Sequence, residues 1–223
     1  MATPFPSRCI RVRHTIVALA IICALSACAV TQNTSRDEPG TGSAPDATGA
    51  EALQEAAPVS LEGWPSETFS LPPEFAPELP RGTESLRFAP GWRDPNAEGF
   101  WSYAFVMTID EPAPHGARID EILEYYYDGL MFTFASNRGR FAGSDPAQVE
   151  VRQTAPNRFT AKMHTVDAFA TFEPIDIRFQ VETVALGEDR SVVRIRLSPQ
   201  PEEHAIWRSL QAAIESIGAL ASE

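Results

Sequence analysis

Apolar and polar positions alternate most clearly over residues 100–109. Trp101, Tyr103, Phe105, Met107 and Ile109 point one way, while Ser102, Ala104 and Thr108 share the other face. A period of two marks a strand, and side chains this large predict a buried one. The small residues opposite predict that another element packs closely there. A second alternation runs through Ile175, Ile177, Phe179, Val181, Thr183 and Ala185, with Asp176, Arg178, Gln180 and Glu182 between them. It predicts a long strand with one wet face. Residues 187–190 turn it into Val193, Ile195 and Leu197, whose other face carries Arg194 and Arg196. Residues 149–153 and 158–164 also alternate around the turn residues Ala155-Pro156-Asn157, and residues 84–88 fit a short strand. The second half of the chain therefore reads as an antiparallel meander. Opposed charges across its wet face contribute about 0.2–1 kcal/mol per pair.

Two segments change period. Residues 118–137 carry Ile119, Ile122, Leu123, Tyr126 and Leu130 at three- and four-residue spacings, the stripe of an amphipathic helix. Gly129 sits inside it at a cost of about 1 kcal/mol relative to Ala, so a helix that ends there is the alternative. The last stripe, Ile206, Leu210, Ile214 and Ile217 with Trp207 at its edge, predicts a helix over residues 201–220. Pro201 suits its first position, and Glu202 and Glu203 suit its positive end. Between residues 69 and 80, Pro72, Pro73, Pro77 and Pro80 remove backbone donors and predict an extended strap rather than a strand. Residues 136–146 are rich in loop formers. The predicted fold class is α+β: a single domain in which a twisted antiparallel β-sheet is covered on one face by two α-helices.

Upstream of residue 64 the pattern is of another kind. Arg8, Arg11 and Arg13 precede an apolar run over residues 16–25, which no acid interrupts. About 20 apolar residues are needed to cross a bilayer, so the run is too short for a span and reads as a cleaved secretory leader. Its end, Leu25-Ser26-Ala27-Cys28, resembles the lipobox of bacterial lipoproteins. That resemblance implies diacylglycerol on the Cys28 thiol, cleavage before Cys28 and acylation of the new amino group. Two or three chains anchor firmly where one is marginal. Ala29 in place of Asp after the cysteine implies, by the same resemblance, transfer to the outer membrane, facing the periplasm. Cys9 and Cys23 leave with the leader, so Cys28 is the sole thiol of the mature chain and no internal disulfide forms. Residues 29–63 are rich in Ala, Thr, Pro, Gly, Ser and acids and hold no aromatic residue, the composition of a flexible tether on the order of 30 Å long. The expected division is a signal peptide over residues 1–27, a lipidated tether over 28–63 and one α+β domain over 64–223. A domain of that length buries about 70% of its unfolded surface without help from metal or disulfide.

Charge narrows the partners. The chain carries 18 basic and 30 acidic side chains, a formal charge of −12, and removing the leader takes away three Arg and no acid. Nucleic-acid binding depends on Lys and Arg neutralising phosphates, so nucleic acid is not an expected partner. The sequence holds no phosphate-cradling glycine loop, zinc spacing or nucleophile elbow, and no cofactor or metal is expected. Outside the leader the histidines are His115, His164 and His204. His164 and Asp167 come closest to a catalytic or metal pair, although a spacing of three points opposite ways on a strand. Asp120, Glu121, Glu124 and Asp128 crowd the first helix, where acids four apart can hold a cation or form a solvated face. Tyr125-Tyr126-Tyr127, with Phe132 and Phe134, would line an apolar cavity or fill an ordinary core.

A further resemblance spans most of residues 64–217. Phe88-Ala89-Pro90-Gly91-Trp92, Asp94-Pro95, Phe100-Trp101-Ser102-Tyr103-Ala104-Phe105-Val106, Tyr126-Tyr127-Asp128-Gly129-Leu130 and Leu197-Ser198-Pro199-Gln200-Pro201 with Trp207 resemble segments of a bacterial protein family without assigned function. It implies a single domain. These motifs are apolar and proline-rich, so no activity follows from them. The expectation is a cell-envelope lipoprotein held to the membrane through lipid on Cys28, whose non-catalytic domain binds an envelope protein or an apolar ligand. The alternative is a periplasmic hydrolase using His164 with a nearby carboxylate such as Asp167.

Overall fold

A computed structural model describes residues 59–139 and 146–220, all within the unit Gln54–Glu223. Cys28, the leader, most of the tether and residues 140–145 lie outside the described residues. Among the described residues the elements run β1 (Ser66–Leu71), β2 (Gly82–Phe88), β3 (Tyr103–Ile109), α1 (Gly116–Asn137), β4 (Gln148–Ala155), β5 (Arg158–Val166), β6 (Pro174–Ala185), β7 (Ser191–Ser198) and α2 (Ile206–Leu220). The strands form one antiparallel sheet in the order β1-β2-β3-β7-β6-β5-β4. Two meanders thus meet where β3 pairs with β7, with Phe105 opposite Ile195, and α1 is the crossover between them.

The interior strand β3 is covered on both sides. Tyr103, Phe105, Met107 and Ile109 enter the larger core with Ile119, Ile122, Leu123, Tyr126, Tyr127 and Met131 of α1. Ala104 and Val106 face the other way, onto Leu210, Ala213 and Ile214 of α2, flanked by Trp64 and Trp207. The expectation that both helices cover one face is therefore corrected. We call the α1 side inner and the α2 side outer. The physical reason lies in the small outer residues of β3: Ala104 and Ala213 are both fully buried, so α2 seats close to the strand. A strand with apolar side chains on both faces requires cover on both.

α2 packs mainly on β2, β3 and β7. Further along the sheet the outer face is wet: in β5, buried Phe159, Ala161 and Met163 alternate with exposed or half-buried Arg158, Thr160, Lys162 and His164. Full burial of rings such as Phe105 and Phe179 contributes roughly 1.5–3 kcal/mol each, so stability concentrates on the inner side.

α1 runs unbroken through Gly129. The proline-rich strap after β1 crosses the helix there, and a Cβ on Gly129 would sit 1.7 Å from the Phe75 carbonyl oxygen. Glycine is thus needed for backbone contact, not for ending the helix. Ala76 and Leu79 of the strap are buried, and Phe75 meets Tyr126 edge-on at 5.3 Å. The strap itself begins later than expected, at Pro72, because Phe69 and Ser70 pair with Glu84 and Thr83 of β2. Gly129→Ala is expected to cost about 1–3 kcal/mol by forcing helix and strap apart, read as a lower urea midpoint at unchanged m-value. Gly218→Ala, where nothing lies within 4 Å of an added Cβ, is the comparison and should gain up to about 1 kcal/mol from helix propensity.

The last helix also begins later than its pattern suggests. Residues 201–205 form turns in which the Pro201 carbonyl accepts both the His204 N–H at 3.0 Å and the Trp207 indole N–H at 2.9 Å. Glu202 and Glu203 consequently lie outside the helix. His204 Nδ1 accepts the Ile206 N–H at 3.1 Å, the service of an N-cap side chain. Leu61, placed in the tether by its composition, packs beside Trp64 and Trp207.

Candidate functional site

His164 and Asp167 are not brought together. His164 stands on the wet outer face of β5, where its Nδ1 lies 2.7 Å from Oδ1 of Asp176, its cross-strand neighbour on β6. The two side chains are 59% and 82% exposed, so water screens the pair as it does any surface contact. Asp167, just past the end of β5, is fully buried. Its Oδ1 accepts the Trp101 indole N–H and the Phe169 N–H, both at 2.9 Å. Its Oδ2 accepts the Thr171 N–H at 2.7 Å and the Thr171 hydroxyl at 2.8 Å, and the Ala170 N–H lies 3.2 Å from each oxygen. The carboxylate thereby ties its loop to Trp101, whose φ of 50° lies in the left-handed region. Its lone pairs are committed to the fold.

The acids of α1 act in a similar way. Asp120 accepts the Val151 N–H at 3.1 Å and Asp128 accepts the Ala147 N–H. β4 is an edge strand, so these two donors would otherwise find no protein partner. Burial raises the pKa of Asp128, and the Ala147 N–H opposes that rise. Glu121 pairs with Arg118, which also holds Glu111; hydrogen bonding by Arg118 to the Glu111 carboxylate is the main reason the guanidinium keeps its proton so firmly. Among the described residues no three His, Cys, Asp or Glu side chains gather as a metal site.

The tyrosine run divides by helix face. Tyr125 and Phe132 are exposed, whereas Tyr126 and Tyr127 are buried on the inward stripe of α1. Tyr126 stacks on Phe105 at 5.7 Å and Tyr127 meets Phe179 edge-on at 5.6 Å, so these rings fill space between helix and sheet. Their hydroxyls have partners: Tyr127 with Tyr103 at 2.8 Å, and Tyr126 donating to Oε1 of Glu84 at 2.9 Å. Burial raises all three tyrosine pKa values and keeps the phenols neutral.

Glu84 is not among the candidates its residue type suggests, although the alternation of Glu84, Leu86 and Phe88 on one face of a strand carries the signal. It is fully buried, and its Oε2 has no hydrogen-bond partner. Burial pushes its carboxyl up to about 8, with the Tyr126 hydroxyl pulling it down and the charge of Glu67 adding to the rise. A neutral acid therefore sits in the core at pH 7.

The open part of the outer face has a different character. Strand register lines up Arg152, Thr160, Gln180 and Arg196 in one row, and Glu150, Lys162, Arg178 and Ser198 in the next. Glu182 lies 3.8 Å from Arg158 and 3.6 Å from Arg194. Arg178 donates to the Pro199 carbonyl at 2.6 Å, and Arg196 donates to the side-chain carbonyl of Gln211 on α2. Partial burial lowers the pKa of Arg196. Between the sheet and α2 lies a groove of about 480 Å³ that includes Arg158, Thr160, Gln180, Arg196 and Gln211. A second groove of about 290 Å³ shares Thr160 and adds Arg152, Lys162 and Arg178.

No protein-family model, no curated protein and no solved structure matches this chain.

Proposed function

We propose that the chain is a lipid-anchored envelope protein, attached through Cys28 to the periplasmic side of the outer membrane, whose folded part acts by binding rather than by catalysis. Leu25-Ser26-Ala27-Cys28, placed directly after a short apolar run, supports the anchor. One observation carries the binding reading: α2 leaves part of the outer sheet face open, and that part is basic in a chain of net charge −12. The commitment of Asp167, Asp120 and Asp128 to backbone donors supports it too. Cys28→Ala is expected to move the protein from the membrane fraction to the soluble periplasmic fraction. The intact mass of the mature wild-type chain should exceed that of the polypeptide by two or three acyl groups plus glycerol. A Cys28→Ala protein that still pellets with membranes, or a mature chain of unmodified mass, would overturn the anchor.

A second reading, a hydrolase using His164, is favoured by the 2.7 Å pair alone, with Asp176 taking the place of Asp167 as its carboxylate. It requires an ester- or amide-cleaving activity that His164→Ala abolishes at unchanged melting temperature. Full activity in that variant would end it.

A further inference from the structure

Six cations gather on the outer face of β4 to β7: Arg152, Arg158, Lys162, Arg178, Arg194 and Arg196. Glu182 serves Arg158 and Arg194. Among the described residues no carboxylate comes within ion-pairing distance of the other four, although Glu150 and Glu202 border the same groove. Lys162 stands directly opposite Arg178 across the β5–β6 pair. Like charges so placed weaken strand pairing, and an anion between them would reverse the sign of that interaction. Neighbouring strands are about 4.8 Å apart, so one phosphate group can be reached by both side chains.

We propose that the two adjoining grooves, which share Thr160, together bind a small polyhydroxylated phosphate of the sugar-phosphate class. Its phosphate sits between Lys162 and Arg178, where a guanidinium fork can take two oxygens and the ammonium supplies a point charge. Its hydroxyls extend along Thr160 and Gln180, which offer neutral hydrogen-bonding groups, toward Arg196, whose guanidinium keeps donors beyond the one it gives Gln211. A volume of about 480 Å³ falls within the range of small-molecule sites. The acidic balance of the whole chain does not oppose this, because charges more than about 10 Å away are largely screened at 0.1 M salt. The proposal deepens the binding reading and rests on it, but not on the lipid anchor.

The test is a titration of the full chain with glucose 6-phosphate at 0.1 M salt, followed by calorimetry and by melting temperature. Glucose, inorganic phosphate and phosphatidylglycerol vesicles are run beside it. Binding of glucose 6-phosphate is expected to exceed that of glucose and of inorganic phosphate, and to weaken as salt rises. Lys162→Gln and Arg178→Gln should each weaken it about tenfold, the loss of one charge-assisted contact, while Arg81→Gln leaves it unchanged. Lys162 is exposed on the sheet, so its replacement leaves folding intact and keeps the comparison valid should Arg178→Gln unfold. Equal binding of glucose would overturn phosphate as the recognised group. Binding of vesicles without glucose 6-phosphate would overturn a soluble ligand, and wild-type affinity in Lys162→Gln would overturn the site. A silent titration together with one dominant cross-linked partner in intact cells would overturn the groove yet keep the binding reading.

Discussion

Asp167→Ala is expected to lose about 3–5 kcal/mol of folding free energy, read as a fall in the urea midpoint. The substitution removes the acceptor for five donors at once: the Trp101 indole, the N–H groups of Phe169, Ala170 and Thr171, and the Thr171 hydroxyl. Trp101 is fully buried, so its indole N–H cannot turn to water for a substitute. Each buried donor left without a partner costs about 1–3 kcal/mol, and the half-buried ones recover part of that from solvent. Asp167→Asn keeps one acceptor oxygen but aims an amide at backbone N–H groups, so its loss should be smaller. Trp101→Phe breaks a single bond of the set and also empties part of a fully buried ring site, so its loss combines that bond with a packing term. A midpoint for Asp167→Ala within about 1 kcal/mol of wild type would show that the loop is held by something else.

The second large effect concerns Glu84 and pH. Its folded pKa of about 8 lies above the ordinary 4.5, so folding favours the protonated form. The stability tied to that proton is fully present below about pH 4.5, is lost as pH rises toward 8, and does not change further above it. The slope within this window is at most about 1.4 kcal/mol per pH unit, which brings the loss by pH 8 to as much as about 4 kcal/mol. Glu84→Gln retains an acceptor for the Tyr126 hydroxyl and cannot ionise. Its stability, measured by urea denaturation across pH 5 to 8, should therefore exceed wild type by a margin that widens with pH. A constant margin would mean that the carboxyl titrates in its usual range in the folded chain.

Period and turn chemistry were enough to place most elements. The alternation at Tyr103, Phe105, Met107 and Ile109 became β3, the Ala155-Pro156-Asn157 turn joined β4 to β5, and the stripe from Ile119 to Leu130 became α1. What periodicity does not carry is which side of a sheet a helix will take. Ser102, Ala104 and Thr108 announced a close neighbour, yet only tertiary contact shows that neighbour to be α2 and its face to be opposite α1. Gly129 was ambiguous for a related reason: the contact that requires it comes from Phe75, more than fifty residues away in sequence. The candidate chemistry was legible in residue type and not in position. His164 and Asp167 are three residues apart, but the end of β5 sends one to solvent and the other beneath Trp101. The groove was hardest to see, because its cations come from separate strands and the net charge of the chain has the opposite sign.

The two carboxylates of α1 on β4 bear on how this chain can meet other chains. An open strand edge invites a strand from elsewhere, whether from a partner peptide or from a second copy of the same protein. Here a newcomer at β4 would compete with Asp120 for the Val151 N–H and with Asp128 for the Ala147 N–H just before the strand. Such a guard works against edge-to-edge polymerisation while leaving the face beside it free.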